Sequence, residues 1–329
     1  MKFLRKIKKT PLVYLLAVLL LVFSFFYGIL SGASGYGLGE LIKALTEKKA
    51  DTPYARIFLF VRLPRVLATV FCGSALAVSG AVIQGVLKNR LASPSVIGVN
   101  AGAGLSVTVA CALGAVGGLE LSLFAFVGAM LAVLPVSLGV KKWGASRGTV
   151  ILLGVALNSF FGAISDTVIT FFPDISILSA DFRIGDFSSV TYGKLIPSAS
   201  LIIISILILL TLSNDLSVLS LGEERAKSLG MNTGKMSVLF LALASLLAGS
   251  AVSVCGLVSF VGLLIPHAVR RLGLSASHLL PLSALFGAGF VTLCDTLSRT
   301  VFTPYELPVG IILAFLGAPF FIFILVKGK

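Results

Sequence analysis

Nine stretches of this 329-residue chain run for 18 to 31 residues without one charged side chain: 10–39, 66–87, 91–119, 121–140, 148–165, 195–214, 236–266, 272–294 and 307–326. A bilayer core of roughly 30 Å is crossed by about 20 apolar helical residues, and in lipid every backbone N–H and C=O needs a partner within the protein. Runs of this length and number point to an all-α polytopic membrane protein. The composition agrees, since 57% hydrophobic and 12% charged residues exclude an ordinary soluble domain. The opening MKFLRKIKKTPLVYLLAVLLLVF has the basic leader of a signal peptide, but its uncharged run continues to Gly39 with no A-x-A-like cleavage site, so it is expected to remain as a first span.

The run 236–266 is too long for one comfortable crossing and contains Gly249, Gly256, Gly262 and Pro266. A single crossing would put Arg270, Arg271, Lys327 and Lys329 on the outer side. Two helices, near 236–255 and 257–270, give instead ten transmembrane helices with both termini cytoplasmic. The inside then holds 17 of the 26 basic residues and only Asp215, Glu223 and Glu224 of the acidic ones, as the positive-inside rule requires. The second helix of the split spans only about 21 Å, so it must be covered by protein or line a cavity. No repeat, low-complexity tract or linker divides the chain, which reads as one transmembrane domain over 1–329 with a charged loop at about 213–235.

The net charge of +13 belongs mostly to short loops beside apolar runs, where it sets orientation, and is not read as a nucleic-acid surface. Cys72, Cys111, Cys255 and Cys294 lie in or at the ends of apolar stretches without CxxC spacing, and read as packing residues with no metal or cofactor to hold. No GxxxxGK[ST] is present; GEERAKS has Lys227 where the second glycine would stand. His267 and His278 have no ligand-type partner at i+4, and Asp166 and Asp295 lie near outer span ends. A secondary transporter needs an ion-coupling carboxylate near the midplane and an intramembrane enzyme needs a nucleophile with its base. These are the rival readings, and neither finds its residues here.

Two features need a purpose. The segment LSLGEERAKSLGMNTGK, 219–235, concentrates five charges in a greasy chain. Ser220 with Glu223 has the spacing of a capping box and Gly230 can close the helix in the left-handed conformation. Ala226 and Leu229 are expected on one face, with Glu223 and Glu224 in the first turn and Arg225 and Lys227 toward the end, as the helix dipole favours. In FVRLPRVLATVF, Pro64 suits a first helical turn, which would set Arg62 and Arg65 at the outer N-terminus of the second span, against both the charge bias and the dipole. Arg299 reaches the same side, with Asp295 at i−4 as a helical partner. Gly98 and Gly102 form a GxxxG suited to close helix packing.

Four stretches together resemble the FecCD family, the permeases of ATP-binding-cassette (ABC) importers for iron-siderophore, haem and cobalamin uptake. They are RLPRVLATVFCGSALAVSGAVIQGVLKNRLASPSVIGVNAGAG (62–104), LGEERAKSLGMN (221–232), GLVSFVGLLIPHAVR (256–270) and DTLSRTVFTPYELPVGIILAFLGAPFF (295–321). The resemblance implies a type II, cobalamin-permease-like fold of ten helices in the cytoplasmic membrane, with no enzymatic activity of its own. It implies a second permease subunit, identical or sister, two ATP-binding subunits inside, an extracellular or periplasmic substrate-binding protein, and a metal chelate as cargo. It also assigns ATPase coupling to Ser220, Gly222, Glu223, Glu224, Arg225, Ala226, Leu229 and Gly230, and binding-protein docking to Arg62, Arg65 and Arg299. The chain departs from the family pattern at Asn89-Arg90-Leu91-Ala92, where Asn-Pro-Leu-Ala is usual, and at DFRIGDF (181–187), where a Trp and Gly-Ser pattern is usual.

Overall fold

The computed structural model describes residues 2–32, 39, 52–143, 147–303 and 305–327, and is helical with no strand among them. Residues 33–38 of the first uncharged run and the terminal Lys329 lie outside the described residues. The α-helices of six or more residues are α1 Lys2–Leu30, α2 Leu63–Leu87, α3 Val99–Ala112, α4 Gly118–Trp143, α5 Arg147–Phe171, α6 Tyr192–Thr211, α7 Ser213–Leu221, α8 Glu223–Ser228, α9 Thr233–Cys255, α10 Val261–Arg271, α11 Leu279–Thr300 and α12 Val309–Lys327. Seven of them are long and apolar enough to cross a membrane. Helices α3 and α10, of 14 and 11 residues, reach only about 21 and 16 Å.

The bundle is built around α2, which packs against α11, α9, α10 and α6 and buries residues on every side from Pro64 to Leu87. Small side chains make this possible. A side-chain carbon on Gly80 would overlap the carbonyl of Gly262 in α10, and one on Gly73 that of Gly287 in α11, so backbones touch where lipid-like side chains offer no hydrophobic drive to associate. Hydroxyls stitch the same contacts: Thr69 Oγ1 lies 2.9 Å from Thr292 Oγ1, and Ser79 Oγ donates to the Ala244 carbonyl at 2.6 Å. Leu, Val and Phe side chains of α1, α4, α5, α6 and α12 remain exposed, as expected of faces whose solvent is lipid or another apolar surface.

The long run 236–266 is indeed broken in two. Helix α9 stops at Cys255, Gly256 takes φ +70°, and α10 begins at Val261. The break is held by the DFRIGDF stretch: Leu257 N–H donates to the Phe182 carbonyl at 2.8 Å and Asp186 N–H to the Cys255 carbonyl at 2.9 Å. Gly310 N–H, at the start of α12, donates to the Gly185 carbonyl at 3.0 Å. The backbone groups freed by breaking the helix are thereby satisfied by protein.

Three expectations are corrected. The run 91–119 yields only the 14-residue α3, because Pro94 and Gly98, at φ +96°, keep the chain in turns until Val99. Gly98 is therefore the left-handed N-cap of α3 and not half of a GxxxG helix face, while Gly102 does make the close contact, against Gly128 of α4. Pro64 does not open a helix: helical structure starts at Pro53 and passes through a π-helical turn, Ile57–Arg62, into α2. Leu63 N–H reaches back to the Phe58 carbonyl, the wider loop that lets a proline without an N–H sit in a continuous helix.

Candidate functional site

The charged loop forms two short helices and not one. Helix α7 ends at Leu221, Gly222 adopts φ +130° and ψ 155°, and α8 runs from Glu223 to Ser228. That backbone region is essentially reserved for glycine, so Gly222 fixes the angle between the helices. The expected capping box is absent: Ser220 belongs to α7 and its Oγ donates to the Ser217 carbonyl at 2.7 Å, while Gly222 occupies the N-cap of α8. The far end is as expected. Gly230 sits at φ +82°, its N–H donates to the Lys227 carbonyl at 2.9 Å and Met231 N–H to that of Ala226 at 3.0 Å, which together make a Schellman closure.

Ala226 and Leu229, expected on one face, differ in exposure: Ala226 is fully buried and Leu229 is 66% exposed. Ala226 seats α8 on α7 and α9. Glu224, Arg225, Lys227 and Ser228 point outward, with Glu223 paired to Lys227 at 2.9 Å, a bridge worth little by itself at this exposure. Leu221 and Leu229, both exposed, flank the charges. The outer face of α8 is thus a small charged patch bordered by two leucines, carried on a rigidly capped base. Asn232 completes that base, its Oδ1 accepting from Lys235 N–H at 3.1 Å to start α9.

At the opposite end of α2, the structure turns the three arginines inward: Arg62, Arg65 and Arg299 are 3%, 5% and 3% exposed. Asp295 is their centre. Arg65 Nε donates to its two oxygens at 3.0 and 3.2 Å, and Arg299 Nε lies 3.1 Å from Oδ2. Arg65 Nη1 also meets Glu306 at 2.8 Å. The remaining donors cap α1: Arg62 Nη1 reaches the Ile29 and Leu30 carbonyls at 2.8 and 3.1 Å, and Arg299 Nη2 the Gly28 carbonyl at 3.0 Å. Last-turn carbonyls have no partners within their own helix, and the C-terminal end of a dipole favours cations. Of the arginines that looked misplaced against α2, Arg62 therefore answers to the end of α1 and Arg65 to Asp295 and Glu306, relations no local pattern encodes.

The departures from the family pattern are both ordered. At Asn89, Oδ1 accepts from Leu91 N–H at 2.9 Å after Lys88 turns left-handed at φ 47°. A further feature gave no sequence signal: a polar groove of about 510 Å³ between α3, α5 and the α9–α10 break, lined by Asn100, Thr108, Asn158, Ser165 and Asp166 among others. Asn158 Nδ2 donates to the Ser95 carbonyl at 2.8 Å. Helix α5 is among the least buried of the spans, yet it carries this polar stripe, with Arg183 3.9 Å from Asp166 at one end.

The comparisons with known proteins agree with this architecture. The model of the FecCD transport family matches residues 20–327. An ABC transporter permease protein, YvrB of Bacillus subtilis, is 40% identical over 84% of this chain and 80% of its own length. The Fe(3+)-citrate import system permease protein YfmD of Bacillus subtilis is 33% identical over 99% of this chain and 97% of its own. A solved inward-facing structure, assigned to the metal-chelate type of ABC transporter, superposes with a TM-score of 0.82 at 29% identity, over 96% of this chain and 99% of that one.

Proposed function

The chain belongs to the FecCD transport family, and from that premise we propose how this membrane permease of the ABC importer type works. It moves a metal chelate, of the kind named for its iron-citrate and metal-chelate relatives, across the cytoplasmic membrane into the cell. Hydrolysis of ATP takes place on two separate subunits. Ten helices form one domain over 1–329, with both termini and the α7–α8 loop in the cytoplasm. The single observation that carries this reading is the construction of that loop, a charged, leucine-bordered face on a base fixed by Gly222, buried Ala226 and the Gly230 closure.

In this reading Ser220, Gly222, Glu223, Glu224, Arg225, Ala226, Leu229 and Gly230 form the coupling element that the ATPase grips. ATP-driven closure of the two ATPases carries α8 with them, and rigid α9 transmits the displacement to the break at Gly256. The groove on α3 and α5 supports its assignment as one wall of the pathway, closed by a second permease subunit. A substrate-binding protein docks at the opposite end. There Arg62, Arg65 and Arg299 act by position, holding the ends of α1, α2 and α11 and the rim that carries exposed Tyr305 and Glu306.

Ion-coupled transport finds no support, since Asp295, a fully buried carboxylate, is committed to two arginines. The experiment is purification of the tagged chain from its native membrane, followed by reconstitution with its binding protein. ATPase subunits are expected to copurify and chelate uptake to require ATP. Uptake by the permease without them, driven by an ion gradient, would overturn the reading.

A further inference from the structure

We propose that the cavity beside the coupling loop receives an acidic side chain of the ATPase subunit, a second contact in which the permease holds its partner; this rests on the reading above, which places the ATPase on that face. The cavity measures about 490 Å³ and lies where the C-terminal ends of α2 and α10, the start of α11 and the inner side of α7 meet. Its rim is made by the connection after α2, with Arg90, and by the connection after α10, with Leu274 and Ser275. Helix α7 packs on α2 and on the turn that precedes α11, so the cavity and the coupling loop share one end of the bundle.

Arg90 and Arg270 both line the cavity, and no carboxylate does so among the described residues. The two guanidinium charges oppose one another, and neither has an ion-pair partner among the described residues. Arg270 is nonetheless held in place. Its Nη1 donates to Gln84 Oε1 and its Nη2 lies 3.5 Å from the Ala81 carbonyl, while Gln84 Nε2 donates to the Gly262 carbonyl at 3.1 Å and so fixes the amide. These acceptors are neutral and leave most of the five guanidinium donors unused. The charge is therefore uncompensated, and its orientation is set before a partner arrives, which lowers the ordering cost of binding. The positive-inside rule accounts for basic residues at this end but not for a guanidinium tethered within a cavity.

The remaining lining decides what kind of anion enters. Gln84, Ser213, Ser217, Ser220, Ser275 and His278 supply hydrogen-bonding groups, which an acyl chain would bury without partners. The volume lies in the range that encloses a whole small ligand, more than one inorganic oxyanion fills, and suits a carboxylate together with the turn of chain that carries it. Leu216, Val269 and Leu280 are buried and form a floor against which the methylenes of that side chain pack. A carboxylate is also the anion that a guanidinium meets with two parallel hydrogen bonds. Continuity fixes its source: Ser220 lines the cavity, and two residues on the chain bends at Gly222 into α8, so a protein seated on α8 stands at the cavity mouth.

The test titrates the detergent-purified full chain with its purified ATPase subunits at low and at high salt, comparing wild type with Arg90→Glu, a change at an exposed loop position. Binding to wild type should weaken as salt rises, and Arg90→Glu should bind roughly tenfold more weakly at low salt and lose most of that salt dependence. In parallel, the assembled complex of the conservative variant Arg90→Lys is treated with a water-soluble carbodiimide, which joins an amine to a carboxylate with loss of water. Peptide mass mapping should find an amide between position 90 and an Asp or Glu of the ATPase. Equal affinities of wild type and Arg90→Glu at both salt concentrations, or amides from position 90 to this chain alone, would overturn the inference and leave the ATPase reading standing. A lipid or phosphate retained by wild type and lost from Arg90→Glu, with ATPase binding unchanged, would overturn it in favour of that occupant. Failure of the ATPase subunits to bind wild type at all would overturn both.

Discussion

Replacing Asp295 with Asn keeps the shape of the carboxylate but leaves Arg65 and Arg299 buried around a neutral amide. Breaking a buried ion pair from one side costs about 3–5 kcal/mol, so thermal unfolding of Asp295→Asn in detergent should begin well below wild type. An unchanged midpoint would show that the cluster is wetter than its burial indicates. Gly80 makes the complementary case in packing. An added methyl has no space against the Gly262 carbonyl, and overpacking of this kind costs about 1–3 kcal/mol or more. Gly80→Ala should therefore lower the yield of folded protein, measured by size-exclusion chromatography, whereas Gly230→Asn, a residue tolerant of the left-handed region with open space around it, should not. The 295/299 pair was legible as an i, i+4 spacing. The approach of Arg65 to the same carboxylate, 230 positions away, was not.

For the α7–α8 element, the decisive quantity is the angle at Gly222. Gly222→Ala forces a side chain into a backbone region that costs about 1–3 kcal/mol for other residues, and the loop is expected to relax by straightening. ATP hydrolysis by the assembled transporter should persist while chelate uptake falls, read as a raised ratio of ATP consumed to chelate moved. An unaltered ratio would mean that the bend has no part in coupling. Charge reversal at Glu223, Glu224 and Arg225 tests the outer face in the same assay and should uncouple hydrolysis from uptake without removing the protein from the membrane. Normal uptake in that triple variant would end the coupling assignment. The loop's existence, its charge order and its Gly230 closure were readable locally. Its division into two helices was not, because Gly222 could be recognised as a glycine but its φ of +130° is set by packing on α2 and α9.

Across the whole molecule, single cysteines at Ser220, Lys227 and Leu229, in a background with Cys72, Cys111, Cys255 and Cys294 replaced, should react with membrane-impermeant reagents only from the cytoplasmic side. Labelling from outside would invert the topology and remove the ATPase from reach. The number and position of apolar runs, the split of 236–266 and the charge asymmetry follow from the sequence alone, because the transfer of a helix into lipid depends on composition summed over about 20 residues. Composition has no such power over contacts between distant segments. That Arg62 and Arg299 cap α1, that DFRIGDF holds the α9–α10 break, and that polar residues of α3 and α5 meet in one groove depend on which backbone groups lack partners after the helices have packed. Only the tertiary structure decides that, since an unsatisfied carbonyl in an apolar interior accepts whichever donor the fold brings within 3 Å.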